Sequence, residues 1–291
     1  CGSVKFEPVD TAAIEAADSA VHFIDIDYSQ YKDSIELVAH IGLMNGEDKN
    51  EFGPDLNMTR AELASLVARN ILKQNYAVTE ALPHDVAANH WAAGDICFVK
   101  EYGYMVGYAD GSFGPEDSVT YNQVVKTLVS ALGYDSMAEN KGAKYPESWL
   151  LAAEEIKLTK GTEAGGENEI RRDLVAKLLD NALPIKIPEI VHDSSSSYYS
   201  TKDADTLLEK LGYQKIKGRI TANDCTSLTD KNELPKGKFE INGAVYQEGY
   251  TNAGDYIGQQ IELYATKSED DQEETAVYFR TDGDTKVTTI D

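Results

Sequence analysis

A stretch of about sixty residues occurs twice in this chain, and the second copy keeps the register of the first. The shift is 61 positions and relates Phe52, Gly53, Pro54 and Thr59 to Phe113, Gly114, Pro115 and Thr120. It also carries Ile35, Val38, Gly42, Met44 and Gly46 onto Ile96, Val99, Gly103, Met105 and Gly107. A fixed period over a whole unit predicts a repeat architecture.

A third, weaker copy follows. "YPESWLLAAEEIKLTKG" begins at Tyr145 and "RRDLVAKLLDNAL" begins at Arg171, but the loop between them is shorter and lacks the Phe-Gly-Pro element. Each copy reads as helix, loop, helix, with apolar residues at helical spacing. A single pair of helices is too small to bury its apolar face, so we expect three pairs to share one core.

The boundaries follow from changes in composition. We predict an N-terminal extension at residues 1–19 and three repeats within residues 20–187, at about 20–75, 84–135 and 145–187, here named copies 1, 2 and 3. Residues 188–212 read as a Ser-rich linker and a short helix. Residues 213–291 read as a small all-β module with a hairpin turn at Asn242-Gly243, and no stop signal precedes Asp291.

Charge and cysteine content narrow the class of protein. Of the 291 residues, 50 are acidic and 27 are basic, and the formal net charge of −23 argues against nucleic acid as a partner. Three dispersed cysteines form no CxxC, so neither a metal site nor a disulfide framework is expected. Cys1, followed by Gly-Ser, fits either a lipid-modified first residue of a bacterial lipoprotein or a cloning remnant.

With "FGPDLNMTRAE" in copy 1, and "HDVAANHWAAGDI" and "GYADGSFGP" in copy 2, the chain resembles S-layer homology (SLH) proteins over residues 20–187. The resemblance implies a mainly α pseudo-trimer, a three-pronged spindle around a three-helix bundle. It further implies grooves that bind secondary cell wall polysaccharide, commonly pyruvylated, or a related peptidoglycan-associated glycan. The expected location is the extracellular surface of a Gram-positive bacterium.

The Thr-x-x-Glu pattern ahead of an apolar helix is a capping box. Thr59 and Glu62 form it in copy 1, and Thr120 with Gln123 keep it in copy 2. Copy 3 departs from the pattern, because Arg171 takes the place of the threonine and Leu174 that of the glutamate.

Arg60 has no task in capping and faces the positive end of the helix dipole. The resemblance makes it a glycan contact, suited to a ligand carboxylate. The alternative is a solvated surface cation. We therefore expect its loss to weaken binding with little change in melting temperature. Arg172 aligns with it in copy 3, whereas Tyr121 replaces it in copy 2, which leaves that groove to other contacts or to a structural role.

The other candidate residues come from copy 2. Trp91 either lies against a sugar face or packs on the bundle. Asp110 and Gly111 suit a turn, and Asp110 could also orient a ligand. The predicted glycan-binding set is Arg60, Glu62, Trp91, Asp110, Gly111 and Arg172.

No catalytic signature such as GxSxG or HExxH occurs, so we expect a non-catalytic protein with no cofactor and no metal. The predicted function is cell-surface anchoring through wall glycan. The alternative is a structural surface-layer subunit, in which the repeats and the β module mediate self-assembly or contacts with other surface proteins.

Overall fold

The computed structural model describes residues 21–48, 50–79, 81–192, 197–228, 234–267 and 273–281. The predicted N-terminal extension at residues 1–19 lies outside these ranges. The chain divides into two compact units, of which unit 1 holds residues 23–207 and unit 2 holds residues 208–281 with residues 21–22. None of the helices in these ranges has both the length and the apolar surface that a membrane crossing requires.

Each copy in unit 1 contributes two main helices, one before and one after its loop. Copy 1 has α1 (Lys32–His40) and α2 (Arg60–Ser65), which continues as a π-helical turn over Leu66–Ile71. Copy 2 has α3 (Ala93–Glu101) and α4 (Tyr121–Ala131), followed by the short α5 (Asp135–Glu139). Copy 3 has α6 (Glu147–Glu155) and α7 (Arg172–Ala182).

The helices pack across copies. Helix α3 packs on α2 of the preceding copy, α6 packs on α4, and α1 closes the cycle by packing on α7 of copy 3. The α1–α7 contact buries Val38 on one side and Val175 and Leu179 on the other. Each pair of helices therefore shares its packing with another pair.

A ring of three backbone hydrogen bonds joins the segments that lead into the second helices. Met58 N donates to Ile170 O (3.1 Å), Ile170 N donates to Val119 O (3.0 Å), and Val119 N donates to Met58 O (2.9 Å). All three side chains are buried. The three residues occupy equivalent positions in the three copies, so the ring has a cyclic order, from copy 1 to copy 3 to copy 2 and back.

The Ser-rich segment at residues 188–212 differs from the predicted linker. Strands β1 (Glu189–His192) and β2 (Ser197–Ser200) pair antiparallel, and residues 193–196 between them lie outside the described ranges. The predicted short helix is present as α8 (Leu207–Lys210). The two strands pair through their backbones, and this pairing does not require apolar side chains.

Unit 2 is built on a five-stranded antiparallel sheet of order β5-β4-β3-β6-β7. Its strands are β3 (Tyr213–Ala222), β4 (Lys238–Ile241), β5 (Ala244–Gln247), β6 (Gln260–Thr266) and β7 (Ala276–Thr281). The predicted turn joins β4 to β5, with positive φ at Asn242 and Gly243. Gln247 N donates to Glu274 O (2.9 Å) and brings the two edges of the sheet together around a core that includes Phe239 and Leu263.

Candidate functional site

The loops of copies 1 and 2 are each held by a carboxylate from the start of the same copy. Asp25 accepts from the backbone N–H groups of Phe52 (3.0 Å) and Gly53 (2.8 Å). Asp85 does the same for Phe113 (2.8 Å) and Gly114 (2.7 Å). Both phenylalanines are fully buried, so the Phe-Gly-Pro element anchors its loop to the core.

Hydrogen bonds from the loop of copy 2 favour the ionised form of Asp85. Desolvation alone would raise its pKa, but the bonds from Gly114 and Phe113 outweigh it and hold the pKa below the usual value. The folded loop therefore stabilises the ionised form of Asp85 over the protonated form.

The second helices of copies 1 and 2 begin at complete capping boxes. Thr59 Oγ1 accepts from Glu62 N (3.2 Å), and the Glu62 carboxylate accepts from Thr59 N (2.6 Å). Thr120 and Gln123 make the same pair of bonds, at 3.4 and 3.2 Å. Arg171 makes no side-chain cap for α7. These bonds fix the start of each helix and therefore the direction in which the side chain of the next residue points.

The side chain of Arg60 extends from its helix to the loop of copy 2. We name this contact the 1–2 junction. Its Nε donates to Phe113 O (2.7 Å) and its Nη2 donates to Val106 O (2.6 Å). The guanidinium carbon lies 4.5 Å from the Phe113 ring centroid and 4.9 Å from that of Tyr108. Arg60 is only 5% exposed, so the alternative of a solvated surface cation is wrong.

The remaining nitrogen of Arg60, Nη1, has no acceptor among the described residues. It is not one of their fully buried unpaired atoms, so it keeps some contact with solvent although the residue as a whole is buried. Burial lowers the pKa of the guanidinium, while Tyr108, Asp117 and Asp85 act in the opposite direction. An arginine remains charged under these conditions. The 1–2 junction thus presents one cationic donor beside two aromatic rings.

Arg172 makes the equivalent contact between α7 and the loop of copy 1, which we name the 3–1 junction. Its Nε donates to Phe52 O (3.0 Å) and its Nη2 donates to Asn45 O (2.7 Å). Its Nη1 lies 2.9 Å from Glu62 Oε1 and 2.6 Å from Glu47 Oε1. The structure therefore brings two predicted site residues, Glu62 and Arg172, together as an internal ion pair.

The third contact, between α4 and the loop of copy 3, is the 2–3 junction. Tyr121 stands where the other junctions have arginine, and its hydroxyl lies 3.1 Å from Thr162 Oγ1. A cavity of 640 Å³ opens beside it, lined by Tyr121, Leu150, Glu154, Lys157, Thr159, Lys160, Thr162 and Ala164. Tyr121 supplies no guanidinium, so the chemistry here differs from that of the other two junctions.

The remaining predicted site residues do not all converge. Asp110 Oδ1 accepts from Ser112 N (2.9 Å) and Gly111 has φ +89°, so both shape the turn between Val106 and Phe113 that receives Arg60. Trp91 is 54% exposed and stacks on His90 with a centroid distance of 5.8 Å. The exposed part of Trp91 could lie against a sugar, and the covered part is compatible with packing on the bundle, so both interpretations of Trp91 stay open.

Sequence reasoning missed the residues that surround the two arginines. Tyr108 and Glu47 stand at equivalent positions, 61 apart, yet one is aromatic and the other is acidic. This difference between two equivalent positions was the sequence signal that the surroundings of the two arginines are not the same. Asp25 and Asp85 were also missed, because their spacing of 60 falls one short of the repeat shift.

Together these features define unit 1 as a repeat-built helical module with arginine-centred junctions between copies. A family model described as the S-layer homology domain matches residues 24–64 and 84–125. The matched segments include Arg60 and both capping boxes. The chain thus contains two segments of the S-layer homology type.

Several bacterial surface proteins are similar to this chain. The middle cell wall protein of Brevibacillus brevis is 27% identical over 303 residues, which cover 96% of this chain and 28% of that protein. The surface layer protein of Brevibacillus choshinensis is 29% identical, over 64% of this chain and 16% of its own length. The cellulosome-anchoring protein of Acetivibrio thermocellus is 34% identical, over 28% of this chain and 19% of its own length. The chain spans less than a third of each relative.

Proposed function

We propose that unit 1 is a non-catalytic anchoring module that holds the protein at the bacterial cell surface by binding secondary cell wall polysaccharide. We further propose that the glycan carries pyruvate, whose carboxylate is the group recognised. Unit 2 then spaces, assembles or presents a partner outside the wall.

The proposal includes a pseudo-trimer of three SLH-like repeats, with copy 3 as the third. Two observations support this arrangement. The hydrogen bonds among Met58, Val119 and Ile170 run in cyclic order. The first helix of every copy packs on the second helix of another, including α1 on α7. The proposal assigns to copy 3 the role of closing both cycles.

The observation that carries the proposed function is the outward Nη1 of Arg60. Two of the three guanidinium nitrogens are already fixed by backbone carbonyls, so the third is held in one orientation before a ligand arrives. A charge-assisted bond from a preoriented guanidinium suits a carboxylate. Tyr108 is 44% exposed and lies beside the guanidinium, where its apolar ring is able to pack against a sugar.

A second candidate function is a structural surface-layer subunit. The similarity to a surface layer protein over 64% of the chain favours it. In that case the copies and unit 2 mediate assembly, and wall glycan is not needed. The two functions predict different behaviour toward purified cell wall.

The experiment is a pull-down of the full chain on purified wall sacculi, before and after chemical removal of the secondary polysaccharide. Anchoring predicts that the chain sediments with untreated wall and remains in solution with stripped wall. Sedimentation with both preparations, or with neither, would contradict it. Concentration-dependent assembly in the absence of wall would favour the surface-layer subunit.

A further inference from the structure

The 3–1 junction holds an arginine equivalent to Arg60, but its outward nitrogen is already paired. We propose that Glu47 and Glu62 keep anionic ligands off Arg172, so that of these two arginines only Arg60 accepts a ligand carboxylate. This inference rests on the proposed function and specifies how many arginine sites unit 1 offers.

The geometry at Arg172 leaves no nitrogen without a partner. The inner nitrogens bind the Phe52 and Asn45 carbonyls, as their equivalents do at Arg60. The outer Nη1 contacts both carboxylates, at 2.6 and 2.9 Å. These two carboxylates therefore occupy the position beside Nη1 that a ligand oxygen would need.

The surroundings of the two arginines differ at several equivalent positions, and two of these hold the acids that pair with Arg172. Glu47 corresponds to Tyr108, and Glu62 corresponds to Gln123, both at the shift of 61. Each acid of the 3–1 junction thus has a neutral counterpart at the 1–2 junction. No Asp or Glu of the described residues lies within ion-pairing distance of the Arg60 guanidinium. Arg172 is therefore ion-paired directly within its junction, whereas Asp117 and Asp85 act on Arg60 without a direct ion pair.

Electrostatics opposes a third carboxylate at Arg172. Desolvation raises the pKa of Glu47, and Glu62 raises it further, while Arg172 acts in the opposite direction. The two acids already compete for one cation at close range. A ligand carboxylate would have to lose its hydration beside both of them, or displace one that is held by the Thr59 cap.

The test uses the full chain and a pyruvate-ketal monosaccharide as the probe. Calorimetry gives the number of sites, and ¹⁵N-edited NMR of the arginine Nε–H signals reports which guanidinium responds. Arg60→Lys and Arg172→Lys assign the two signals. The two arginine junctions of the wild-type chain together should bind one molecule of the probe, and only the Arg60 signal should shift.

A double variant, Glu47→Gln with Glu62→Gln, removes both carboxylates from Arg172, and we name it the opening variant. Glutamine keeps the size of the side chain and retains an oxygen for the cap, as Gln123 does in copy 2. The opening variant should shift both arginine signals and add a second binding site. The closing variant, Tyr108→Glu with Gln123→Glu, should weaken the Arg60 response about tenfold. The closing variant is read independently, so a folding failure in the opening variant would not end the test.

Three results would overturn the inference. The first is a shift of the Arg172 signal in the wild-type chain. The second is an opening variant that folds, still binds at Arg60 and gains no response at Arg172, which would leave the proposed function intact. The third is no response at Arg60 in any protein, which would remove the carboxylate contact of the proposed function as well.

Discussion

Met58 and Ile170, 112 positions apart, are joined by a backbone hydrogen bond of 3.1 Å from Met58 N to the carbonyl oxygen of Ile170. This bond brings the last copy back to the first and closes the cycle through Val119. Because α1 packs on α7, the first helix of the chain depends on the last helix of unit 1. The cycle predicts that the three copies fold as one cooperative unit.

Truncation tests that dependence. A chain that ends at Tyr134 lacks α6 and α7, so it removes the helix that packs on α1 and one of the elements that pack on α4. We expect it to be unfolded or aggregated by circular dichroism and size-exclusion chromatography. A chain that ends at residue 207 retains all of unit 1 and is the control, which should melt in one transition. A folded, monomeric fragment ending at Tyr134 would refute the cyclic dependence.

Capping should contribute to stability and not to binding. Thr59→Ala removes the bond to Glu62 N, and we expect it to lower the free energy of unfolding by ~1 kcal/mol. Thr59→Ser keeps the hydroxyl and should lie close to wild type. Denaturant melts measure both. Glycan affinity of folded Thr59→Ala should be unchanged, and an affinity loss without a stability loss would place Thr59 in the binding site instead.

Alanine at two equivalent glycines would disturb the two arginine junctions one at a time through steric clashes. A Cβ on Gly107 would lie 2.6 Å from Ser112 O, and one on Gly46 would lie 2.5 Å from Glu51 O. Both alanine variants should lose about 1–3 kcal/mol of stability, since backbone must move in each. Only Gly107→Ala disturbs the turn that receives Arg60, so only it should weaken glycan binding. Equal effects on binding would contradict the assignment of the 1–2 junction.

The loop of copy 2 should lose stability in acid through Asp85. Its folded pKa lies below the unfolded value of about 3.9, so its contribution is fully present above that pH. The contribution is lost as the pH falls through the folded pKa. The stability difference between wild type and Asp85→Asn should be constant above about pH 5 and shrink below about pH 4. A difference that does not change with pH would show that the charge has no part in holding the loop.

The sequence predicted those parts of the fold that depend on local pattern. The apolar spacing in copies 1 and 2 indicated the helices, and Thr-x-x-Glu or Thr-x-x-Gln indicated where α2 and α4 begin. Asn242-Gly243 indicated the hairpin of unit 2. These features are encoded within a few residues, so no knowledge of distant partners was needed.

The partners across copies could not be predicted in the same way. Nothing near Arg60 in sequence reveals that it binds carbonyls at Val106 and Phe113, because the contact depends on which copy its helix meets. We expected its loss to leave the melting temperature nearly unchanged. That expectation is wrong in view of two hydrogen bonds and 5% exposure, and we now expect Arg60→Ala to destabilise the fold as well. The charge of Arg172 is likewise neutralised by Glu47, which only the folded loop brings near.

The comparison of Arg60→Lys with Arg172→Lys tests the account most directly. Each variant loses the same kind of two-carbonyl contact, and Arg172→Lys also alters the ion pairs with Glu47 and Glu62, so the folding of both variants is checked by circular dichroism before their affinities are compared. The measurement is the affinity of the full chain for purified wall polysaccharide, by calorimetry at a temperature where both variants remain folded. We predict at least about a tenfold loss of affinity for Arg60→Lys and less than about a twofold change for Arg172→Lys. Unchanged affinity for Arg60→Lys, or an equal loss for the two variants, would contradict the account.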